Sequence, residues 1–86
     1  MDKEPVVLLP LSDLGINETC HIVKFGQVEE SDIRKLKDLG VMHGMPIRVR
    51  EKTVSGPVVI AVNDASIAIA QHVAEQIFVL LKDTQR

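Results

Sequence analysis

The sequence contains very few aromatic residues and a single cysteine. Phe25 and Phe78 are its only aromatic residues, and it has no Trp or Tyr. Proteins that stack single-stranded bases or grip proline-rich peptides need exposed aromatic rings, so neither class is indicated. Because Cys20 is the only cysteine, one chain can form neither an intramolecular disulfide nor a zinc site built from two cysteines.

The chain also lacks an excess of positive charge and any long apolar run. It has 10 Lys and Arg residues and 12 Asp and Glu residues, which gives a net charge of −2. A domain that coats nucleic acid usually has a basic surface, so we expect no nucleic-acid partner. No segment approaches the ~20 apolar residues that cross a bilayer. The N-terminal apolar run is interrupted by Pro10 and is unlike a signal peptide. We therefore expect a cytoplasmic protein with no segment inserted in a membrane.

The length and composition are typical of one small domain. The chain has 86 residues, of which 45% are hydrophobic and 26% charged, and these values support a single domain over 1–86. Within it, we expect a flexible N-terminus over about 1–5 and a polar C-terminal tail over about 82–86.

Short alternating or apolar segments predict a mainly β fold. Strands are expected at residues 19–25, from 45 onward, and at 58–62, 66–70 and 78–81. Residues 5–11 are read as an edge strand or an extended lead-in, because prolines flank them. About five short antiparallel strands in so small a chain favour a small β-barrel, which leaves few exposed edges.

One short helix is predicted between the first two of these strands, over about 31–39. Its apolar positions recur every three residues, at Ile33, Leu36 and Leu39. Ser31 is the expected N-cap, and acidic residues near this end suit the helix dipole. A second, shorter helical turn is expected near 71–76.

Two glycines follow the predicted helix. Gly40 stands where helices commonly end in a left-handed conformation. If Gly40 adopts that conformation, the amide of Val41 bonds the carbonyl of Leu36, and the amide of Gly40 bonds that of Lys37. Gly44 suits the third position of a type II turn, where φ is positive. Both glycines are therefore predicted to be structural turn residues.

The residues around Gly44 raise the question of a ligand site. The glycines close a helix and no Gly-Lys-Ser/Thr follows, which disfavours a phosphate loop. One interpretation is a metal site in which His43 and either Met42 or Met45 bind a soft metal ion. The other is a corner between helix and strand, on which Met42 offers an adaptable contact surface. The corner is favoured. His72 and Glu75 could share a helix face, but they would form a weak site at best.

No catalytic set emerges from the sequence. The three histidines are scattered, and Cys20 in a β-rich segment is read as a small buried apolar residue. A nucleophile, a base and an orienting group must converge for catalysis. We therefore expect no enzymatic activity, no cofactor and no assigned metal ligand.

The segments LSDLGINETCHIVKF, IRKLKDLGVMHGMPIRVR, GPVVIAV, SIAIA and HVAEQIFV resemble the FeoA family of small cytosolic ferrous iron transport proteins. They are also similar to the C-terminal domain of diphtheria toxin repressor-type metalloregulators. The resemblance implies an SH3-like β-barrel. It also implies a non-catalytic accessory that binds and modulates a membrane ferrous iron permease with a GTP-binding domain. This chain departs from the family at His43, where proline is usual, and from residue 71 onward, where relatives are more basic.

A contact surface for such a partner is expected on the helix and the corner that follows it. Its predicted residues are Ile33, Leu36, Lys37, Leu39, Val41 and Met42. The competing interpretation is that all the apolar members belong to the core. An alternative function is a metal-sensing SH3-like module that binds a divalent transition metal through His43, His72 or Glu75. Weak self-association is left open.

Overall fold

The computed structural model describes residues 8–81 of the chain. The ends predicted to be flexible, 1–5 and 82–86, lie outside the described residues, as does the beginning of the segment 5–11. The elements in chain order are β1 (Leu9–Pro10), a 3-10 helix (Leu11–Asp13), β2 (Thr19–Phe25), α1 (Glu30–Asp38), β3 (Pro46–Lys52), β4 (Val58–Val62), β5 (Ala65–Ile69), α2 (Gln71–Ala74) and β6 (Ile77–Leu81).

The six strands form one antiparallel sheet in the order β1-β6-β2-β3-β4-β5. The predicted mainly β, SH3-like fold is confirmed, with six strands where about five were expected. The additional strand is β1, because Leu9 pairs with Val79 and Pro10 with Phe78. Register shifts interrupt the pairing of β2 with β6 and of β3 with β4. Such irregularities bend strands and help a small sheet to coil around its core.

Alternate residues of the strands fill a single core. On β4, Val58, Ile60 and Val62 are buried, as the period of two predicts. The other buried residues are Leu11, Leu14, Cys20, Ile22, Leu36, Val41, Ile47, Val49, Ile69, Ala74, Ile77 and Val79. Each fully buried Val, Leu or Ile side chain contributes about 1.5–3 kcal/mol relative to an exposed one. The core therefore supplies most of the driving force for folding.

The N-terminal end of α1 differs from its prediction. Glu29, which has extended dihedral angles, is the N-cap, and its side chain makes no capping hydrogen bond. The amides of Asp32 and Ile33 donate instead to the backbone carbonyl of Glu29, at 2.9 and 3.0 Å. Ser31 already lies inside the helix, so its prediction as the N-cap was wrong. The helix starts at Glu30, one residue before the predicted start, and no side-chain cap sets this boundary.

The C-terminal end of α1 agrees with its prediction. Gly40 has a φ of +98°. The amide of Val41 donates to the carbonyl of Leu36 at 2.8 Å, and the amide of Gly40 donates to that of Lys37 at 3.0 Å. This pair of bonds is the Schellman pattern, which satisfies carbonyls at the end of a helix. The helix is therefore stopped by backbone geometry that glycine adopts readily.

A two-residue turn, Asn63-Asp64, joins β4 to β5. Asn63 has a φ of +54°, and Val62 pairs with Ala65 across the turn. Asparagine tolerates this left-handed conformation better than most residues. The hairpin places β5 at one edge of the sheet, while β1 forms the other edge.

Candidate partner-binding surface

The corner after α1 is tied to β2 through the backbone. Gly44 has a φ of +83°, and the amide of Met45 donates to the carbonyl of Met42 at 3.0 Å, closing the turn. The amide of Gly44 donates to the carbonyl of Ile22 at 2.7 Å, and the amide of Ile22 donates to Met45 at 3.3 Å. The predicted turn at Gly44 is confirmed. These bonds give the corner a fixed shape, so the side chains that it carries are held in place.

Two of the six predicted contact residues are buried. Leu36 is 8% exposed and Val41 is 0% exposed, and both belong to the core. The hydrogen bond between their backbones holds them at the same end of the helix, where the Schellman pattern brings apolar side chains together. Leu36 and Val41 therefore support the surface from within and do not themselves face a partner.

The remaining four contact residues reach the surface. Leu39 is 52% exposed and Met42 is 39% exposed. Lys37 is exposed, and Ile33 is half-buried one helical turn before it. We call Ile33, Lys37, Leu39 and Met42 the α1 surface. It combines two large exposed apolar side chains with a cation in the last turn of a helix, where a positive charge is stabilised by the helix dipole.

A groove of about 320 Å³ adjoins the α1 surface. Leu39 belongs to the α1 surface and also lines the groove. The groove is lined by Asp32, Lys35 and Leu36 of α1, by Leu39 just after it, by residues 67–69 of β5 and the following Ala70, and by His72 and Val73 of α2. The sequence did not reveal this groove, because α1 and β5 are far apart in the chain and only the fold brings them together.

The structure separates His43 from the other two candidate metal ligands, whereas His72 and Glu75 line a common hollow. His43, His72 and Glu75 are all exposed. His43 lies beyond the C-terminal end of α1, whereas His72 lies beside Asp32 in its first turn. Over residues 8–81, no group of three or more His, Cys, Asp or Glu side chains is placed to hold a metal ion.

Cys20 is a buried apolar residue, as predicted. Its side chain is 1% exposed. Burial, with a further contribution from the negative charge of Glu18, raises the pKa of the Cys20 thiol to about 12. Because the thiolate is the reactive form of cysteine, this thiol is a poor nucleophile at neutral pH.

One contact that sequence patterns did not indicate involves Lys52. Its Nζ donates to the backbone carbonyls of Ser12 and Leu14, at 2.8 and 2.7 Å. The ammonium group thereby anchors the 3-10 helix to the end of β3. Lysine in an alternating strand is usually solvated, and no local signal distinguishes this one.

A family model described as the FeoA domain matches residues 9–81. Of the solved structures, one of an iron uptake regulatory protein (FeoA) is 26% identical in sequence with a TM-score of 0.78, over 90% of this chain and 100% of that one. The FeoA protein of Chlorobium tepidum is 23% identical with a TM-score of 0.81, over 91% of this chain and 74% of that one. IdeR of T. acidophilum is 23% identical with a TM-score of 0.79, over 94% of this chain but only 37% of IdeR.

No curated protein sequence matches the chain. Within the described residues, no helix has the length and apolar character that a membrane crossing requires.

Proposed function

Because the chain belongs to the FeoA domain family of ferrous iron transport, we propose that it is a non-catalytic, cytoplasmic accessory protein of iron uptake. In this proposal it acts as a single domain that binds and modulates a membrane ferrous iron permease carrying a GTP-binding domain. The 26% identity to an iron uptake regulatory protein, over the whole length of that protein, supports the same role.

The observation that carries the proposal is the exposure of Leu39 and Met42 on a fixed corner. Leu39 is 52% exposed and Met42 is 39% exposed. Two glycines with positive φ flank the corner, and backbone hydrogen bonds hold it against β2. A rigid support lowers the entropy lost on binding, and methionine adapts its shape to a partner. The α1 surface is therefore the proposed site of contact.

Co-purification from membranes tests the proposal. A tagged copy of the chain is expressed in its native host, the membranes are solubilised in mild detergent, and bound proteins are identified by mass spectrometry. We expect a large membrane protein with a GTP-binding domain to be retained. We expect Leu39→Glu and Met42→Glu each to reduce its recovery about tenfold, because a charge would be placed in an apolar contact.

Val54→Glu is the matched control. Val54 is 96% exposed in the loop between β3 and β4 and does not line the groove beside α1, and the substitution changes the net charge by the same amount. It should leave recovery of the permease unchanged. Retention of no such permease by the unmodified chain would overturn the proposed function. Equal recovery with folded Leu39→Glu and Met42→Glu variants would overturn the proposed surface.

The metal-sensing alternative gains no support from the structure. Its two candidate histidines, His43 and His72, lie at opposite ends of α1, a helix of 9 residues and therefore about 13 Å long. His43 alone, or His72 with Glu75, would bind a divalent metal only weakly. In the proposed function, iron is the cargo of the permease and not a ligand of this chain.

A further inference from the structure

The outer edge of β5 carries no charged side chain, proline or bulge. β5 is last in the order of the sheet, and its pairing with β4 is regular, without a bulge. Its five residues and the alanine that follows read ASIAIA, without charge or proline. Edge strands are usually blocked by lysine, proline, a bulge or very short length. β1, at the opposite edge, has only two residues and ends in Pro10. Within residues 8–81, no other strand occupies the outer side of β5.

The register of β5 shows which of its backbone groups point outwards. Val62 and Ala65 flank the two-residue turn, so they form a hydrogen-bonded pair, and such pairs alternate along antiparallel strands. Ile67 therefore bonds to β4, as does Ile69, whereas the backbones of Ser66 and Ala68 face the outer edge. Both of these residues are exposed. Each offers one amide and one carbonyl to an added strand.

The groove beside this edge has room for one extended segment. β5 lines it with consecutive residues, whose side chains alternate between the two faces of the sheet, so the groove follows the edge of the strand. α1 forms the opposite wall with the side chains of one helix face. A second copy of this chain would have to bring its own β4 and α1 alongside its β5. A single extended segment is therefore the smaller occupant for a groove that α1 walls on one side.

The two ends of the groove differ in charge. A Cβ on Gly40 would lie 3.2 Å from Val62, so the C-terminal end of α1 is beside the turn between β4 and β5. The other end lies at Asp32 and His72, where the groove continues into a hollow of about 370 Å³ that Glu29 also lines. Glu29 and Asp32 are the charged residues of this hollow, whereas Lys35 lines the groove one helical turn further along α1. Negative charge therefore predominates at the mouth, which favours lysine or arginine at that end of an occupant.

We propose that an extended segment of the permease adds to β5 as a further antiparallel strand in this groove, with a lysine or arginine at its N-terminal end. This inference rests on the proposed function and names the kind of segment that makes the contact. Antiparallel pairing places the start of the segment beside the end of β5, at the acidic mouth formed by Glu29 and Asp32. Main-chain hydrogen bonds to Ser66 and Ala68 fix its register, and Leu39 and Ile67 pack on its apolar side chains.

The test compares Ala68→Pro with Ala68→Val in binding to the detergent-solubilised permease. Proline removes the outward-facing amide of residue 68, which makes no hydrogen bond to β4. Proline is tolerated at such positions of edge strands. Valine keeps that amide and favours a strand. We expect Ala68→Pro to weaken binding about tenfold, because an acceptor of the segment is left unpaired, and Ala68→Val to change it by less than about twofold.

Amide hydrogen exchange of the unmodified chain gives a second measurement that does not depend on how the proline variant folds. The amides of Ser66 and Ala68 should exchange rapidly in the free protein and slowly in the complex. Asp32→Asn should weaken binding about threefold and reduce its dependence on salt, because it removes one charge from the acidic mouth.

The outcomes separate this inference from the proposed function. If the permease binds while Ser66 and Ala68 still exchange rapidly, or while a folded Ala68→Pro variant binds as tightly, strand addition is overturned and the proposed function stands. If these amides are protected without permease and protection rises with protein concentration, a second copy occupies the edge and the inference is overturned. If the unmodified chain binds no permease, both proposals fail together.

Discussion

Replacing the two glycines of the corner by alanine separates the cost of backbone strain from the cost of crowding. Gly44 has a φ of +83°, and a Cβ built on it would meet nothing within 4 Å. Gly40 has a φ of +98°, and its Cβ would lie 3.2 Å from both Val62 Cγ1 and Asn63 Nδ2. Both substitutions strain the backbone, but only Gly40→Ala also presses on neighbouring side chains.

The expected magnitudes follow from these two environments. An L-residue held at positive φ costs about 1–2 kcal/mol, and alanine recovers about 0.4–1 kcal/mol by restricting the unfolded chain. We therefore expect Gly44→Ala to lower the free energy of unfolding by about 1 kcal/mol. Val62 is buried in the core and cannot move freely, so Gly40→Ala should cost about 2 kcal/mol.

Urea denaturation at 25 °C followed by circular dichroism measures both values. For a domain of this size, the same losses lower Tm by about 4–8 °C per kcal/mol. The control is a synthetic chain with Gly44→D-Ala, which favours positive φ and should be at least as stable as the parent. Equal losses for the two L-alanine variants would show that crowding at Gly40 is unimportant. A gain in stability with either one would refute the assigned backbone roles.

Three further predictions concern the interior. Lys52→Met removes the hydrogen bonds to the carbonyls of Ser12 and Leu14. It should lower the free energy of unfolding, measured by urea denaturation, by about 2 kcal/mol. A loss below about 0.5 kcal/mol would mean that water replaces the ammonium group. Burial raises the pKa of Cys20 to about 12, so the stability it contributes is complete below about pH 8.5 and declines as the pH rises toward 12. Tm measured against pH should therefore fall more steeply for the parent than for Cys20→Ala, and parallel curves would contradict this. Ile60→Ala should cost about 3–4 kcal/mol in the same denaturation assay, because Ile60 is completely buried.

The sequence predicted those features that depend on neighbours in the chain. Glycines that directly follow a short amphipathic segment usually end a helix or form a turn. Both roles were predicted for Gly40 and Gly44, and both are observed. The alternation of Val58, Ile60 and Val62 likewise fixed the buried face of β4. Ser31 is not the N-cap because the N-cap lies two residues earlier, at Glu29, and no side chain caps the helix.

Exposure at the candidate site depends on contacts between distant segments, and local patterns do not encode it. Leu36 and Leu39 both fit the apolar face that the sequence predicts for the helix. Nevertheless, Leu36 is 8% exposed and Leu39 is 52% exposed. Both side chains reach the groove beside β5. Leu36 also packs into the core, whereas Leu39 follows the last residue of the helix. Nothing in ASIAIA shows that this segment is an edge strand, because the strand order results from pairings across the whole chain.

The most direct test of the proposed function is a titration of the detergent-solubilised permease with the unmodified chain, Leu39→Glu and Val54→Glu. The α1 surface predicts saturable binding by the unmodified chain, an unchanged Kd for Val54→Glu, and a Kd about tenfold higher for Leu39→Glu, because a carboxylate would lose its hydration in an apolar contact. A folded Leu39→Glu variant with the Kd of the unmodified chain would contradict contact at this surface. Absence of binding by the unmodified chain would contradict the proposed role in iron uptake.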